Sequence, residues 1–204
     1  MNNIKWLFFD IGSTLVDETK CYEKRYEEIS QACDISKTEF ENKVIEFAKQ
    51  NKNACDEAIK YFGVKKPKWH KELEHLYPES KIVLGELAKE YKLGIIANQS
   101  KGSSQRLENW GIAKHFDVVV ASAEEGCAKP DLKIFHIAIE RAKCKPNEAV
   151  MIGDRLDNDI IPAKKMGMKT VWVRQGFAKY QSVTSEAETP DFTVEAIKDI
   201  IELL

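Results

Sequence analysis

Short apolar runs recur along the chain, and most of them show no alternation between apolar and polar positions. They lie at residues 4–9, 93–97, 118–121, 149–152 and 170–173. Strands that are buried on both faces have continuous apolar sequences of this kind, and such strands are typical of parallel sheets. The pattern therefore predicts five strands of one parallel sheet.

Helical spacing of apolar residues separates these runs. It predicts one helix over residues 80–91 and a second over 132–142, with Asp131 as its N-cap. A third helix is expected over residues 159–166, where Pro162 is tolerated in the first turn and Gly167 ends the helix. Alternating strands and helices predict a doubly wound α/β fold, which binds ligands at the carboxyl ends of its strands.

Residues 21–77 interrupt this alternation. The segment has no strand-like run and is rich in Glu, Lys, Ala and Gln, which predicts three or four amphipathic helices with breaks near 34–38, 51–53 and 63–68. An all-helical block directly after the first strand indicates an inserted cap. We therefore predict an α/β core domain made of residues 1–16 and 79–204, and a small helical cap domain over residues 17–78.

Composition excludes several classes of function. The 204 residues include 31 basic and 33 acidic side chains, a balance with no electrostatic preference for nucleic acid or an anionic membrane. The five cysteines are widely spaced and form no C-x-x-C pair, so neither a disulfide framework nor a zinc site is indicated. The N-terminal stretch resembles no signal peptide. We expect a cytoplasmic protein that works as a monomer or weak homodimer.

Chemistry-bearing residues follow four of the predicted strands. Asp10 follows the first, Asn98, Gln99 and Ser100 follow the second, Lys129 lies beyond the third, and Asp154 begins an acidic run after the fourth. In this topology all four segments converge on one edge of the sheet. A carboxylate nucleophile, a lysine and further acids in one site suit phosphoryl transfer.

Magnesium is the cofactor that this set of groups favours, because Mg²⁺ prefers hard oxygen ligands and keeps several waters. Asp10, the backbone carbonyl of Gly12 and Asp154 are the candidate ligands. Lys129 would offset the charge of the phosphoryl oxygens and of Asp10. The phosphate would be held by N–H groups of residues 11–14, among them Ser13 and Thr14, and of residues 98–100.

Four sequence motifs resemble those of the haloacid dehalogenase superfamily, in the subfamily whose helical cap is inserted after the first motif. They read FFDIGSTLVDE, LGIIANQS, CAKPDLKIF and VMIGDRLDNDIIPAKKMGM. The resemblance implies a Rossmann-like core in which Asp10 is the nucleophile that forms an aspartyl-phosphate. It also implies that Lys129 stabilises charge, that Asp154 binds Mg²⁺, and that Asp159 is the second acid of the fourth motif, with Asp157 as the alternative.

Two positions depart from that family pattern. The family's phosphatases carry a general acid two residues after the nucleophile, where this chain has Gly12, and Ala97 stands where a phosphate-binding Ser or Thr is usual. Candidates to replace the acid are Asp17, Glu18, Lys20 and Lys24. For Asp17 and Glu18 we expect a solvated hinge into the cap, as is common for charged residues that leave a core strand.

The sequence leads us to expect a Mg²⁺-dependent phosphatase of small phosphorylated metabolites that acts through Asp10, with weak or selective turnover because Gly12 replaces the acid. One alternative is a binding or regulatory protein that keeps a phosphate pocket but turns over little. A phosphonatase or a dehalogenase on the same fold is the other alternative. The phosphonatase would need a cap lysine, and the dehalogenase would need no metal.

Overall fold

The computed structural model describes residues 3–204 and has a six-stranded parallel sheet at its centre. Across the sheet the strands lie in the order β5-β4-β1-β6-β7-β8, while β2 and β3 form a separate antiparallel pair. The strands in chain order are β1 (Trp6–Phe9), β2 (Val16–Asp17), β3 (His75–Leu76), β4 (Lys92–Ala97), β5 (Phe116–Ala121), β6 (Ala149–Gly153), β7 (Lys169–Val173) and β8 (Phe192–Val194).

The five predicted strands are all present, with ends shifted by no more than two residues. The sheet has a sixth strand, β8, which the apolar pattern did not reveal because it is three residues long and has Thr193 at its centre. Two predictions were wrong. Residues 21–77 were predicted to contain no strand, but they include the short strand β3, which pairs with β2. The helix predicted over residues 80–91 ends at Leu87.

Nine α-helices lie among residues 3–204. They are α1 (Thr19–Ala32), α2 (Lys37–Ala48), α3 (Ala54–Phe62), α4 (Ser80–Leu87), α5 (Ser103–Asn109), α6 (Ser122–Glu125), α7 (Leu132–Ala142), α8 (Ile161–Lys165) and α9 (Ile200–Leu203). The helix α7 begins after Asp131, whose carboxylate accepts the N–H of Lys133 as an N-cap. The predicted helix 159–166 is a π-helical turn, Leu156–Ile160, followed by α8 with Pro162 in its first turn.

Both faces of the sheet are covered, which explains the continuous apolar strands. Leu7 and Phe9 of β1 point into one core, which contains α4, while Trp6 and Phe8 point into the other, which contains α7. Successive side chains of a strand point to opposite faces, so a strand covered on both sides has no position for an exposed polar residue. The doubly wound α/β class is therefore confirmed.

The helices α1, α2 and α3 pack around a third apolar core of their own, which includes Phe40 and Val44. Phe177 and Tyr180, which belong to a turn after β7, pack against that core. We refer to residues 17–78 as the helical segment; its role as a separate cap domain stays a prediction. Within residues 3–204, no helix has both the length and the apolar character needed to cross a bilayer.

Candidate active site

Asp10 and Lys129 meet at the carboxyl edge of the sheet. Asp10 directly follows β1, and its N–H donates to the carbonyl of Ile152 at the end of β6, 2.9 Å away. Lys129 lies between β5 and α7, and its Nζ is 2.6 Å from Oδ1 of Asp10. The sheet thus brings together two residues that are 119 positions apart in the chain.

Asp159 is the second carboxylate that binds Lys129. Its Oδ1 is also 2.6 Å from Nζ of Lys129, and both side chains are almost completely buried. The Oδ2 atom accepts the N–H of Arg155 at 3.0 Å, which fixes the carboxyl group across the π-helical turn. A Cβ atom on Gly153 would collide with the carboxyl group of Asp159, so glycine at the end of β6 is what admits Asp159 to the site.

The structure separates the two candidates for the second acid of the fourth motif. Asp157 points away from the cluster and forms a partly exposed ion pair with Arg155, whose Nε is 2.9 Å from Oδ1. Asp159 lies inside the cluster. The two carboxylates are only two residues apart, and the π-helical turn decides which of them reaches Lys129.

Asp154 completes a group of three carboxylates. Asp10, Asp154 and Asp159 each offer an oxygen within 4.8 Å of the others; Asp154 and Asp159 are buried, and Asp10 is partly buried. The hydroxyl of Thr14 donates to Oδ1 of Asp154 at 3.5 Å, while the backbone carbonyl of Asp154 accepts Nε1–H of Trp172 at 2.8 Å. The carboxylate of Asp154 is thus poorly compensated.

Electrostatics indicate that the site lacks positive charge. Burial, followed by the charges of Asp10 and Asp159, raises the pKa of Asp154 well above its usual value. Burial also raises the pKa of Asp159 to about 6, although Lys129 opposes the shift. Burial disfavours the charge on Lys129, but Asp10 and Asp159 outweigh it and raise the lysine's pKa. The cluster has three carboxylates and one ammonium, and carboxylate oxygens are the hard ligands that a divalent cation such as Mg²⁺ prefers.

The loop after β4 positions Lys129 through its backbone. The side-chain amide of Asn98 donates to the carbonyl of Lys129 and accepts its N–H, both at 2.8 Å. The N–H of Gln99 donates to Oγ of Ser122 at 3.0 Å, and the Gln99 side chain is held by Arg106. Ser100 is exposed and lies outside the cavity lining. Phosphate binding by residues 98–100 therefore stays a prediction, and in this structure the backbone N–H of Gln99 is hydrogen-bonded to Ser122.

The loop after Asp10 is compact. Ser13 has a left-handed backbone with φ of 54°, and its N–H donates to the carbonyl of Val16 at 2.8 Å. Thr14 is fully buried, and its weak N–H contact is to the carbonyl of Ile11 at 3.4 Å. The N–H groups of Ser13 and Thr14, two of those that the sequence assigns to phosphate, thus have partners within the loop, and a phosphate-binding role for Ser13 and Thr14 stays a prediction.

Glu18 departs from its predicted role as a solvated hinge. Its carboxyl group lies beside Gly12, accepts a hydrogen bond from Oγ of Ser13 at 3.2 Å, and lines the same cavity as Asp10. Burial raises the pKa of Glu18 to about 8, with further contributions from Asp10 and Glu74. The carboxylate of Asp17 accepts the N–H of Thr19 at the start of α1, and its role as a hinge stays a prediction.

A cavity of about 180 Å³ opens over this cluster. Eight of the predicted site residues line it: Asp10, Gly12, Ser13, Asn98, Gln99, Lys129, Asp154 and Asp159. Two further lining residues, Arg155 and Asn158, belong to the fourth motif but were not predicted to belong to the site. Others come from the helical segment and the turn after β7, among them Tyr22, Lys52, Cys55, Phe177 and Gln181. These others lie outside the four motifs, and no local pattern marks them.

Comparisons with known proteins agree with this geometry. A glyceraldehyde 3-phosphate phosphatase of Pyrococcus furiosus is 30% identical over 228 aligned residues, which cover 100% of this chain and 94% of that protein. One of Methanocaldococcus jannaschii is 35% identical over 130 residues, which cover 63% of this chain and 56% of that protein. The crystal structure of a HAD phosphatase from Thermococcus onnurineus matches with a TM-score of 0.67 at 27% identity, over 98% of this chain and 97% of that one.

The family assignment rests on most of the chain. The family model described as haloacid dehalogenase-like hydrolase matches residues 7–173, a range that runs from β1 to the end of β7 and includes Asp10, Lys129 and Asp154. The sheet order and the convergence of these three side chains on its carboxyl edge agree with that match. The chain belongs to the haloacid dehalogenase-like hydrolases.

Proposed function

We propose that this protein is a Mg²⁺-dependent phosphatase of small phosphorylated metabolites, with Asp10 as the nucleophile. The observation that carries the proposal is the buried cluster of three carboxylates around Lys129 at the carboxyl edge of the sheet. Phosphoryl transfer depends mainly on positioning and on neutralising charge, and this cluster is suited to both.

Each residue of the cluster has a role in this proposal. An oxygen of Asp10 attacks phosphorus, while Lys129 holds that carboxylate in place and offsets charge on the phosphoryl oxygens. Asp10, Asp154 and Asp159 would hold Mg²⁺, and the carbonyl of Gly12 is a further candidate ligand. When bound, the ion would neutralise the charge of the phosphate and of the carboxylates.

The helical segment would act as a cap that selects the substrate. It supplies one wall of the cavity through residues of α1 and α3, among them Tyr22 and Cys55. A cavity of about 180 Å³ is small beside the pockets of about 300–1,000 Å³ that hold drug-sized ligands, which favours a small metabolite. Closing such a cap excludes water and strengthens electrostatic interactions in the site.

Glyceraldehyde 3-phosphate, the substrate in the names of two relatives, is the first candidate among small phosphorylated metabolites.

The site geometry gives less support to the two alternatives that the sequence left open, a dehalogenase or phosphonatase and a binding protein. Dehalogenation needs no metal, and the cluster of three carboxylates would then be unexplained. Lys52 is the lysine of the helical segment that lines the cavity, and it is exposed rather than enclosed, unlike an amine prepared for Schiff-base chemistry. A binding protein with little turnover remains the second candidate, because Gly12 provides no acid.

The test is phosphate release from acetyl phosphate, an aryl phosphate and glyceraldehyde 3-phosphate, with Mg²⁺ and with a chelator. We expect release that requires Mg²⁺ and disappears in Asp10→Asn, while Asp157→Asn, a matched change outside the cluster, keeps the activity. Phosphate release that survives in Asp10→Asn would show that Asp10 is not the nucleophile. A wild-type protein that binds phosphate but releases none from any of the three substrates would favour the binding protein.

A further inference from the structure

The carboxyl group of Glu18 occupies the space in which a side chain of residue 12 would begin. A Cβ atom built on Gly12 would lie 2.7 Å and 2.8 Å from the two carboxyl oxygens of Glu18. The carboxyl carbon of Glu18 would lie 2.9 Å from the same Cβ, so the carboxyl group is packed against residue 12 and leaves no room for a side chain there. The chain thus presents a carboxyl group beside residue 12 without encoding one at residue 12.

An ordinary structural role does not account for this placement. Glu18 is the N-cap residue of α1, yet its side chain makes no capping hydrogen bond. Asp17 provides the side-chain acceptor for the first turn instead, through the N–H of Thr19 at 2.9 Å. The Glu18 side chain points into the cavity that Asp10 lines, and it contacts the loop through the hydroxyl of Ser13.

The other carboxyl groups of the cavity and the thiol of Cys55 have partners of their own. Asp159 binds Lys129 and the N–H of Arg155, and Asp154 belongs to the group of carboxylates suited to a cation. The Cys55 thiol contacts Nη1 of Arg25, 3.8 Å away. Tyr22 packs edge-on against the aromatic rings of Trp69 and Phe177. Glu18 is the cavity acid with neither an ion-pair partner nor a place in the carboxylate cluster, among the residues that the structure describes.

We propose that Glu18 is the general acid and base of the reaction, an inference that rests on the proposed phosphatase function. In the first step Asp10 forms a bond to phosphorus and the bond to the leaving oxygen breaks. The leaving oxygen keeps that electron pair and takes a proton from the carboxyl group of Glu18. In the second step the Glu18 carboxylate accepts a proton from water, whose oxygen bonds to phosphorus while the Asp10–phosphorus bond breaks and releases phosphate.

Leaving-group dependence provides the first test. Phosphate esters whose leaving groups are poor need the proton, whereas nitrophenyl phosphates need it little. Glu18→Gln should therefore lower kcat/KM for an alkyl phosphate by about 10²- to 10⁴-fold, the usual value of general acid–base assistance, and lower it much less for 4-nitrophenyl phosphate. The control is Glu27→Gln, the same chemical change at an exposed position of α1, which should leave both substrates unaffected.

Rescue provides the second test. Glu18→Ala empties the space beside residue 12, and adding Gly12→Asp in that background returns a carboxyl group to it. We expect the double variant to recover most of the alkyl phosphate activity that Glu18→Ala loses. Gly12→Asp alone should not exceed the wild-type activity, because its Cβ would displace the Glu18 carboxyl group and the new carboxyl group would only take its place.

The outcomes separate this inference from the proposed function. If Asp10→Asn abolishes phosphate release while Glu18→Gln affects all leaving groups equally, Glu18 has only a structural role and the inference is wrong. The inference also fails if Gly12→Asp does not rescue Glu18→Ala while circular dichroism shows both variants folded. A wild-type protein without any phosphate release would overturn the phosphatase function, and the inference with it.

Discussion

The side chain of Asn98 holds both backbone hydrogen-bonding groups of Lys129. Its amide nitrogen donates to the lysine carbonyl and its amide oxygen accepts the lysine N–H, each at 2.8 Å. The residue after β4 thereby sets the position of the lysine before α7, whose ammonium reaches Asp10 and Asp159. Asn98 is a positioning residue in this arrangement.

Asn98→Ala should lower kcat for phosphate release by about 10²-fold, because small displacements of a catalytic group have effects of that size. Asn98→Asp keeps the acceptor for the Lys129 N–H and loses the donor, so its kcat should lie between those of the wild type and Asn98→Ala. Steady-state kinetics measures both. Asn42→Ala, on the exposed side of α2, is the control. Equal kcat values in Asn98→Ala and the wild type would contradict a positioning role.

Lys129→Met should lower the free energy of unfolding by about 3–5 kcal/mol, because it leaves buried carboxylates without their cation. Urea unfolding in the presence of a chelator measures the loss. Adding Asp159→Asn to Lys129→Met removes one of the uncompensated charges and should restore part of the stability. Lys133→Met, exposed on α7, is the matched control and should have little effect. A Lys129→Met protein as stable as the wild type would show that the ion pairs contribute little.

Mg²⁺ should raise the melting temperature of the wild type, because a ligand that binds only the folded state stabilises it. At a Mg²⁺ concentration one hundred times Kd, the free energy of unfolding should rise by about 2.7 kcal/mol. The rise should be absent or small in Asp154→Asn and unchanged in Asp157→Asn, whose carboxylate pairs with Arg155 outside the cluster. Differential scanning calorimetry with and without Mg²⁺ measures it. Equal rises in all three proteins would place the ion at another site.

His70 should make the stability of the helical segment depend on pH. Hydrogen bonds to Glu72 and to Glu28, each 2.7 Å long, raise the pKa of His70 above its usual value of 6.5. The folded state therefore holds the proton more tightly than the unfolded state. The resulting stabilisation is complete below pH 6.5 and disappears as the pH rises through the native pKa.

The stability difference between the wild type and His70→Gln should thus be largest at pH 5.5 to 6 and should shrink toward alkaline pH. Thermal unfolding across that range measures it. His136→Gln, the same change at an exposed position of α7, is the control. A difference that stays constant with pH would mean that the two glutamates do not bind a charged imidazole more tightly in the folded protein.

Local pattern was enough to predict much of this protein. Five of the six sheet strands follow from apolar runs, because burial on both faces leaves no polar position in the strand. Asp10, Lys129 and Asp154 could be placed on one edge because parallel strands present their carboxyl ends together. These inferences need only the order of elements along the chain.

Contacts between distant or competing residues could not be predicted. The family resemblance favours Asp159 over Asp157 as the second acid, but only the structure shows that the π-helical turn directs Asp159, and not Asp157, toward Lys129. The backbone N–H of Gln99 donates to Ser122, the first residue of α6. The two residues are neighbours because β4 and β5 are paired in the sheet, and this pairing could not be predicted from local pattern.

Glu18 illustrates the limit most clearly. In the sequence it is a charged residue after a short strand, for which solvent exposure is the general expectation. The strand β2, held by β3 from the far end of the helical segment, directs the chain so that the carboxyl group of Glu18 fills the space beside Gly12. The sequence determined five of the six sheet strands and three of the charged residues at their ends, since those follow from local burial patterns and element order. Only the tertiary structure decided which carboxyl groups face the cavity, because that depends on backbone paths joining residues far apart in the chain.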